Sequence, residues 1–333
     1  MNILSDHNVP NSLRINSKCK YFVEVNEISE FKNLYSFINE QKKSIFILGE
    51  GTNIIPTDYF DGIVIKPKFN HIKFDNIKST VSVGSSVNWH YFVEKMIGNN
   101  IYGYENLSLI PGSVGACPIQ NIGAYGQDVS ELILKIDCFD YKNNKLISLS
   151  NSECGFSYRN SSLRDKPYII YNIDFDINRS KSLNLKYESI KNYIKNNKLD
   201  ESKLSLIDTS KIIINIRNSI LPDPKTIPNA GSFFKNPTIN VQKINTNHFP
   251  LDDLIIWSHD DDKVKVGAAR LIQLIKNDLN NYNNVSIYSK HALILISNGK
   301  ATQKDILNVA NNIKEVVMET FNIPLDIEPT VIN

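Results

Sequence analysis

At 333 residues, with 41% hydrophobic and 22% charged side chains, the chain has the size and composition of a globular protein built from two or three packed units. A net charge of +2 makes no field that would draw nucleic acid or an anionic membrane, and no apolar run approaches the roughly 18 residues needed to span a bilayer. The polar opening MNILSDHNVPNSL lacks the apolar core of a signal peptide. Cys19, Cys117, Cys138 and Cys154 show neither metal-ligand nor disulfide spacing, so a reducing cytoplasm is expected.

In chain order, KYFVEV (20–25) reads as a strand and EFKNLYSFINEQ (30–41) as an amphipathic helix. KSIFILG (43–49) reads as a buried strand running into a glycine turn, and GIVIKP (62–67) as another strand; this β-α-β-β order predicts a small α/β unit with a mixed sheet. STVSVGSSVNWHYFVEKMIGNN gives a strand, a glycine, and a helix capped near Ser86 or Asn88. Residues 107–126 are rich in glycine, contain two prolines and have little periodicity. So long an irregular stretch inside a compact domain is usually functional. LKIDCFDY, KLISLS and YIIYNIDFDI, within residues 132–176, read as antiparallel strands separated by turns. The polar, lysine-rich NRSKSLNLKYESIKNYIKNNKLDESK predicts a surface excursion plus a helix. SKIIINIRNSI (210–220) is helical by its apolar spacing, and LPDP marks a boundary. The last third predicts a helix near GAARLIQLIK (267–276), a strand HALILIS (291–297), a helix QKDILNVANNIKEVVMETF (303–321) and an extended tail, IPLDIEPTVI.

Two segments carry chemistry. Gly49-Glu50-Gly51-Thr52-Asn53-Ile54 follows an apolar strand, and its glycines and consecutive amides could cradle a phosphate. A plain tight turn is the alternative, since no third glycine completes G-x-G-x-x-G. LSLIPGSVGACPIQNIGAYGQD mixes small residues with the polar groups of Ser108, Ser113, Gln120, Asn121 and Tyr125. Such a loop can lie beside a large flat cofactor and hydrogen-bond its phosphates and ring edges.

GYENLSLIPGSVGACPIQNIGAYGQDVSE, preceded by LGEGTNII and followed by GFSYRNS (155–161), RNSILPDPK, NAGSFFKNP and HALILISNGKA, resembles the UDP-N-acetylenolpyruvoylglucosamine reductase (MurB) family. That family lies within the FAD-binding superfamily that includes vanillyl-alcohol oxidase, and the resemblance covers essentially the whole chain. It implies a mixed α/β (α+β) fold. A PCMH-type FAD-binding fold in two subdomains (1–76 and 77–217) precedes a C-terminal α/β substrate-binding domain (218–320) and a tail (321–333) returning to the active site. It also implies FAD as cofactor, NADPH as co-substrate and UDP-N-acetylglucosamine enolpyruvate as the substrate, reduced to UDP-N-acetylmuramate in peptidoglycan precursor synthesis. Nothing in the sequence argues against a monomer.

Carried over residue by residue, the resemblance places the proton donor at Ser232, the carboxylate-binding arginine at Arg159 and the catalytic glutamate at Glu328. Aligning the Glu-Pro pair instead would put Thr330 at the glutamate position. It implies that Tyr187 folds over the nucleotide part of the substrate, as in the longer-loop type of the family. Tyr158 and Asn236 are further substrate-binding positions. FAD contacts are expected from Gly49, Gly51, Thr52, Asn53, Ile54, Ser108, Pro111, Gly112, Ser113, Gln120, Asn121, Gly123, Ala124, Tyr125 and Arg217. One departure stands out: Ile220 replaces the usual lysine before LPDP, and Lys225 and Lys235 are nearby candidates to stand in for it. Two other readings remain open on sequence: a different flavoprotein oxidoreductase on the same fold, or a non-catalytic FAD- or nucleotide-binding relative.

Overall fold

A computed structural model describes residues 1–260 and 262–333. The chain divides into two compact units. The first comprises Met1–His7, Cys19–Glu50 and Asp61–Ser219; the second comprises Asn8–Lys18, Gly51–Phe60 and Ile220–Asn333.

In the first unit, apolar alternation in KYFVEV and GIVIKP builds a four-stranded sheet in the order Asn2–Asn8, Lys18–Val25, Tyr59–Pro67, Ser44–Ile47. The last two strands are parallel, with Ile45 opposite Ile63. Helix α1 (Phe31–Gln41) turns Phe31, Leu34 and Ile38 into the core, and Phe31 stacks on Phe139 at 4.4 Å between centroids. A sheet over these segments is as expected. Its first strand was not, because NILSDHN is mostly exposed and polar and lacks an apolar face.

A second, five-stranded antiparallel sheet has the order Lys145–Ser150, Ile133–Asp140, Tyr168–Asp176, Thr80–Gly84, Ile72–Asp75. Helix α2 (Trp89–Gly98) buries Trp89, Phe92, Val93, Met96 and Ile97, and its N-terminus is capped by Asn88, whose side chain accepts from the Tyr91 amide. Trp89 packs edge-on against Phe92 and donates its indole N–H to the Leu107 carbonyl at 2.9 Å, which fixes the start of the glycine-rich segment. Helices α3 (Glu188–Asn196) and α4 (Leu206–Ile220) form a satellite core from Ile190, Ile194, Ile212, Ile213 and Ile216.

In the second unit, Asn229–Ser232, Ile294–Ser297 and Val285–Ile287 make one three-stranded sheet, and Thr238–Asn240, Lys263–Val266 and Ile256–Asp260 another. These strands are only three to five residues long and gave little periodic signal, which is why only HALILIS was anticipated. Helix α5 (Ala268–Leu274) and the long α6 (Gln303–Phe321) cover a core containing Phe233, Phe234, Leu271, Ile272, Ile313, Val317 and Phe321. A reciprocal cap between Thr302 and Asp305 starts α6, and Asn322 in the left-handed region ends it. The tail then pairs Thr330–Ile332 in parallel with Ile54–Pro56.

Trp89→Phe keeps most of the apolar volume but leaves the buried Leu107 carbonyl without its donor. It is expected to cost about 1–3 kcal/mol, read as a lowered denaturant midpoint.

Candidate active site

Apart from a two-residue ladder at Gly123–Ala124, the backbone polar groups of residues 107–126 depend on specific side chains and turns. Ser108 is fully buried and shares a 2.8 Å hydrogen bond with Ser210. The Leu109 amide donates to His90 Nδ1 at 3.0 Å. The Gly112 carbonyl accepts from the Trp89 amide, and the Gly115 amide donates to the Ser85 carbonyl at 2.8 Å. Asn121 accepts from the Ser130 amide and donates to the Ser157 carbonyl. Leu109, Asn121 and Tyr125 all sit at positive φ, between 46° and 59°. The segment is thus held rigidly in a shape few sequences adopt.

Gly49 meets this segment directly. A Cβ there would lie 3.0 Å from Ser113 Oγ, and the Gly49 carbonyl accepts from Lys66 Nζ at 2.9 Å. Burial lowers the Lys66 pKa, with Lys68 pushing the same way. Pro111 is exposed and Gln120 half-buried, while Gly123–Ala124 pairs with Gln127–Asp128 in a short ladder. Arg159 lies over that ladder. Its Nη2 donates to the Gly123 carbonyl at 2.6 Å, Nη1 approaches the Asn121 carbonyl at 3.5 Å, and Asp128 Oδ1 is 3.6 Å away. A Cβ on Gly123 would fall 1.7 Å from Asp128 Oδ1 and 2.9 Å from Arg159 Nη1, so a larger residue there would displace both charged side chains. The Arg159 guanidinium also covers the Tyr158 ring at 5.3 Å.

Arg217, on the last turn of α4, bonds Tyr125 and is depressed in pKa by burial; burial raises the Tyr125 hydroxyl while Arg217 opposes that shift. Tyr187 meets Tyr125 edge-on at 5.4 Å. Among the described residues, the deeply buried Arg217 Nε is one of several side-chain polar atoms of this unit that have no hydrogen-bond partner. An orphaned donor of this kind beside a glycine-rich wall suits a polar, flat cofactor such as FAD.

In the second unit, Gly51 lies at φ 68°, and a Cβ there would sit 2.1 Å from the Pro10 carbonyl oxygen. Ser12 joins this turn to the next motif: its amide donates to the Gly51 carbonyl and its hydroxyl to the Asn229 carbonyl at 2.6 Å. Thr52 and Asn53 are half-buried, and Ile54 is buried where it pairs with Thr330. The buried Asn229 amide donates to the carbonyls of Pro222 and Ile227, and its oxygen accepts from the Gly231 amide. That knot shapes the turn that presents Ser232, which lies opposite Ile294.

The tail runs alongside. The Glu328 amide donates to the Phe233 carbonyl at 2.9 Å, and the Lys235 amide donates to the Asp326 carbonyl at 3.0 Å. Glu328 is therefore attached beside the residue that follows Ser232, whereas the Thr330 amide donates to the Asn53 carbonyl. Asn236 Oδ1 accepts from the Ala268 amide, so this side chain also anchors the start of α5. Ile220 ends α4, and the half-buried Lys235 follows the paired segment. His90, Asn106, Ser12 and Asn229 were not anticipated as supports of the site. Asn106 and Asn229 lie inside the conspicuous motifs, but His90 and Ser12 carry no local signal.

Residues 19–150 match the FAD binding domain family, and residues 223–332 match the UDP-N-acetylenolpyruvoylglucosamine reductase C-terminal domain. The chain is 33% identical over 329 residues to a Flavobacterium johnsoniae protein named UDP-N-acetylenolpyruvoylglucosamine reductase, covering 97% of this chain and 96% of that one. The chain belongs to the UDP-N-acetylenolpyruvoylglucosamine reductase family. It is an FAD-dependent oxidoreductase of that family, as its motifs implied. A Polynucleobacter asymbioticus reductase of the same name is 32% identical over 97% of this chain and 94% of its own. The fold matches the crystal structure of the Thermus caldophilus reductase with a TM-score of 0.65 at 18% identity, over 97% of this chain and 96% of that one.

His90 supplies a test of how the glycine-rich segment is held. Burial lowers its pKa from the ordinary 6.5, Glu94 pulls it up, and Arg217 pushes it down again. The unfolded chain thus takes up the proton first, so this contribution to stability is full above the unfolded value and is lost as pH falls through the folded one. The thermal midpoint is expected to drop between pH 7.5 and pH 5.5, with a shallower drop in His90→Asn.

Proposed function

We propose that this protein uses NADPH and FAD to reduce UDP-N-acetylglucosamine enolpyruvate to UDP-N-acetylmuramate, with Ser232 giving the proton. The observation that carries this reading is the pairing of the Glu328 amide with the Phe233 carbonyl, which keeps a carboxyl group on the segment neighbouring Ser232. In this reading residues 1–76 and 77–217 form the FAD-binding part, residues 218–320 the substrate domain, and residues 321–333 the returning tail.

When bound, FAD would supply hydride derived from NADPH. Hydride addition to the far carbon of the enolpyruvyl group leaves negative charge on the carbon beside the carboxylate and on the carboxylate itself. Arg159 is suited to hold that charge, because its planar fork is already oriented by the Gly123 and Asn121 carbonyls and faces little reorganisation. Ser232 Oγ–H delivers the proton to that carbon, and Glu328 is the partner carboxyl group. The turn fixed by Asn229 sets the position of the serine hydroxyl. Tyr158, Tyr187 and Asn236 contact the substrate. Gly49, Gly51, Thr52, Asn53, Ile54, Ser108, Pro111, Gly112, Ser113, Gln120, Asn121, Gly123, Ala124, Tyr125 and Arg217 surround FAD. The partners are then small molecules only, the chain acts as a monomer, and four free buried thiols support a reducing, cytoplasmic setting.

The assay is NADPH oxidation that appears only with the enolpyruvyl nucleotide. Oxidation at the same rate without it would refute the reading. Ser232→Ala should leave reduction of the flavin by NADPH intact and lower nucleotide turnover by about 10²–10⁴-fold. Of the two tail candidates, Glu328→Gln should lower kcat strongly and Thr330→Val should not. The reverse pattern would move the glutamate position.

A further inference from the structure

The first unit contains a connection that neither motif accounts for. Asn106 is buried, at 1% exposure, between the glycine-rich segment and the polar excursion that carries Tyr187. Its side-chain nitrogen donates to the Tyr125 carbonyl at 2.8 Å and to the Asn184 carbonyl at 2.9 Å. Asn184 returns the connection, donating from its own side chain to the Gly126 carbonyl at 3.1 Å. Three residues further on, the Tyr187 ring meets the Tyr125 ring edge-on. Leu183 and Leu185 anchor the same stretch in the neighbouring apolar cores.

We propose that Asn106 is a positioning residue that laces the Tyr187-bearing excursion to the Tyr125 turn, and so prepares the nucleotide subsite. The inference rests on the reading above for the identity of the nucleotide. The contacts around Asn106 hold whatever that nucleotide is. A polar, lysine-rich excursion has little apolar surface with which to order itself, so its conformation depends on a few fixed points. Both hydrogens of one buried amide are spent on two carbonyls from different segments, and the Asn184 side chain crosses the same gap in the opposite direction. Tyr125 sits at φ 50°, a conformation that must be held from outside, and the bond to its carbonyl does this. The order runs from Asn106 to the backbone of residues 125 and 184, and from there to the Tyr187 ring. Asn106 therefore acts on binding through Tyr187, not on the chemical step.

The test compares the holoenzyme with Asn106→Leu, which keeps side-chain volume and removes both donors, and with Asn184→Ala, which removes from a more exposed residue the return bond and the acceptor of the Lys186 amide. In Asn106→Leu the KM for the enolpyruvyl nucleotide should rise ~10–100-fold, the loss expected for two hydrogen bonds. The kcat and the flavin absorbance per protein should stay near wild type. Asn184→Ala should raise KM less, and amide hydrogen exchange over residues 183–187 should quicken in both variants. Combined with Tyr187→Ala, Asn106→Leu should add little further to KM, because both changes act through the same contact. Unchanged exchange over residues 183–187 in both variants overturns the proposal, whatever the substrate proves to be. So do fully additive effects on KM, or a fall in kcat with KM unchanged. Failure of wild-type enzyme to turn over the nucleotide would instead count against the reaction assigned above, and the exchange measurement would still decide the lacing.

Discussion

An irregular segment of twenty residues cannot be buried unless every backbone donor and acceptor finds a partner, and this requirement organises the first unit. Residues 107–126 answer it with turns, side chains and one two-residue ladder. Trp89 and His90 reach in from one helix, Ser210 from another, and Ser85, Ser130 and Ser157 from the strand connections. The antiparallel sheet and its helices form the frame that holds those partners at fixed positions. Rigidity and glycine content serve the same end: a wall that brings backbone and small polar groups close to a flat ligand needs both.

The second unit solves a smaller version of the same problem with asparagine. Asn229, at the start of its strand, holds the adjoining turn with three side-chain bonds, and Ser12 ties that turn to the one containing Gly51. The tail then makes an isolated bridge beside Phe234, through bonds to Phe233 and Lys235. Ser232 and Glu328 thereby share a single local framework, so a shift in one is felt by the other. The replacement of lysine by Ile220 falls where α4 ends, and nothing in the structure explains it.

Much of this was legible in the sequence where a period or a motif was long. The helix over 303–321 was read to the residue, because nineteen positions of apolar spacing follow a capping threonine. The antiparallel strands between 132 and 176 were equally plain. The first strand and the three-residue strands near 238 and 285 were not, since edge position and shortness remove the alternation on which such readings depend. In the site, LSLIPGSVGACPIQNIGAYG and NAGSFFKNP were conspicuous, while the supports His90 and Ser12 were invisible, because a single polar residue carries no pattern.

By itself the sequence determined the family, the helices, the two chemical segments and the candidates Ser232, Arg159 and Glu328. Those depend on residue identity and on spacing along one chain. Only the tertiary structure decided which tail residue lies beside Phe233, Glu328 or Thr330, because the register of an extended segment is set by the strand it pairs with. It also decided that Asn106 turns both of its hydrogens toward Tyr125 and Asn184, because a buried amide orients to whichever carbonyls the fold brings within reach.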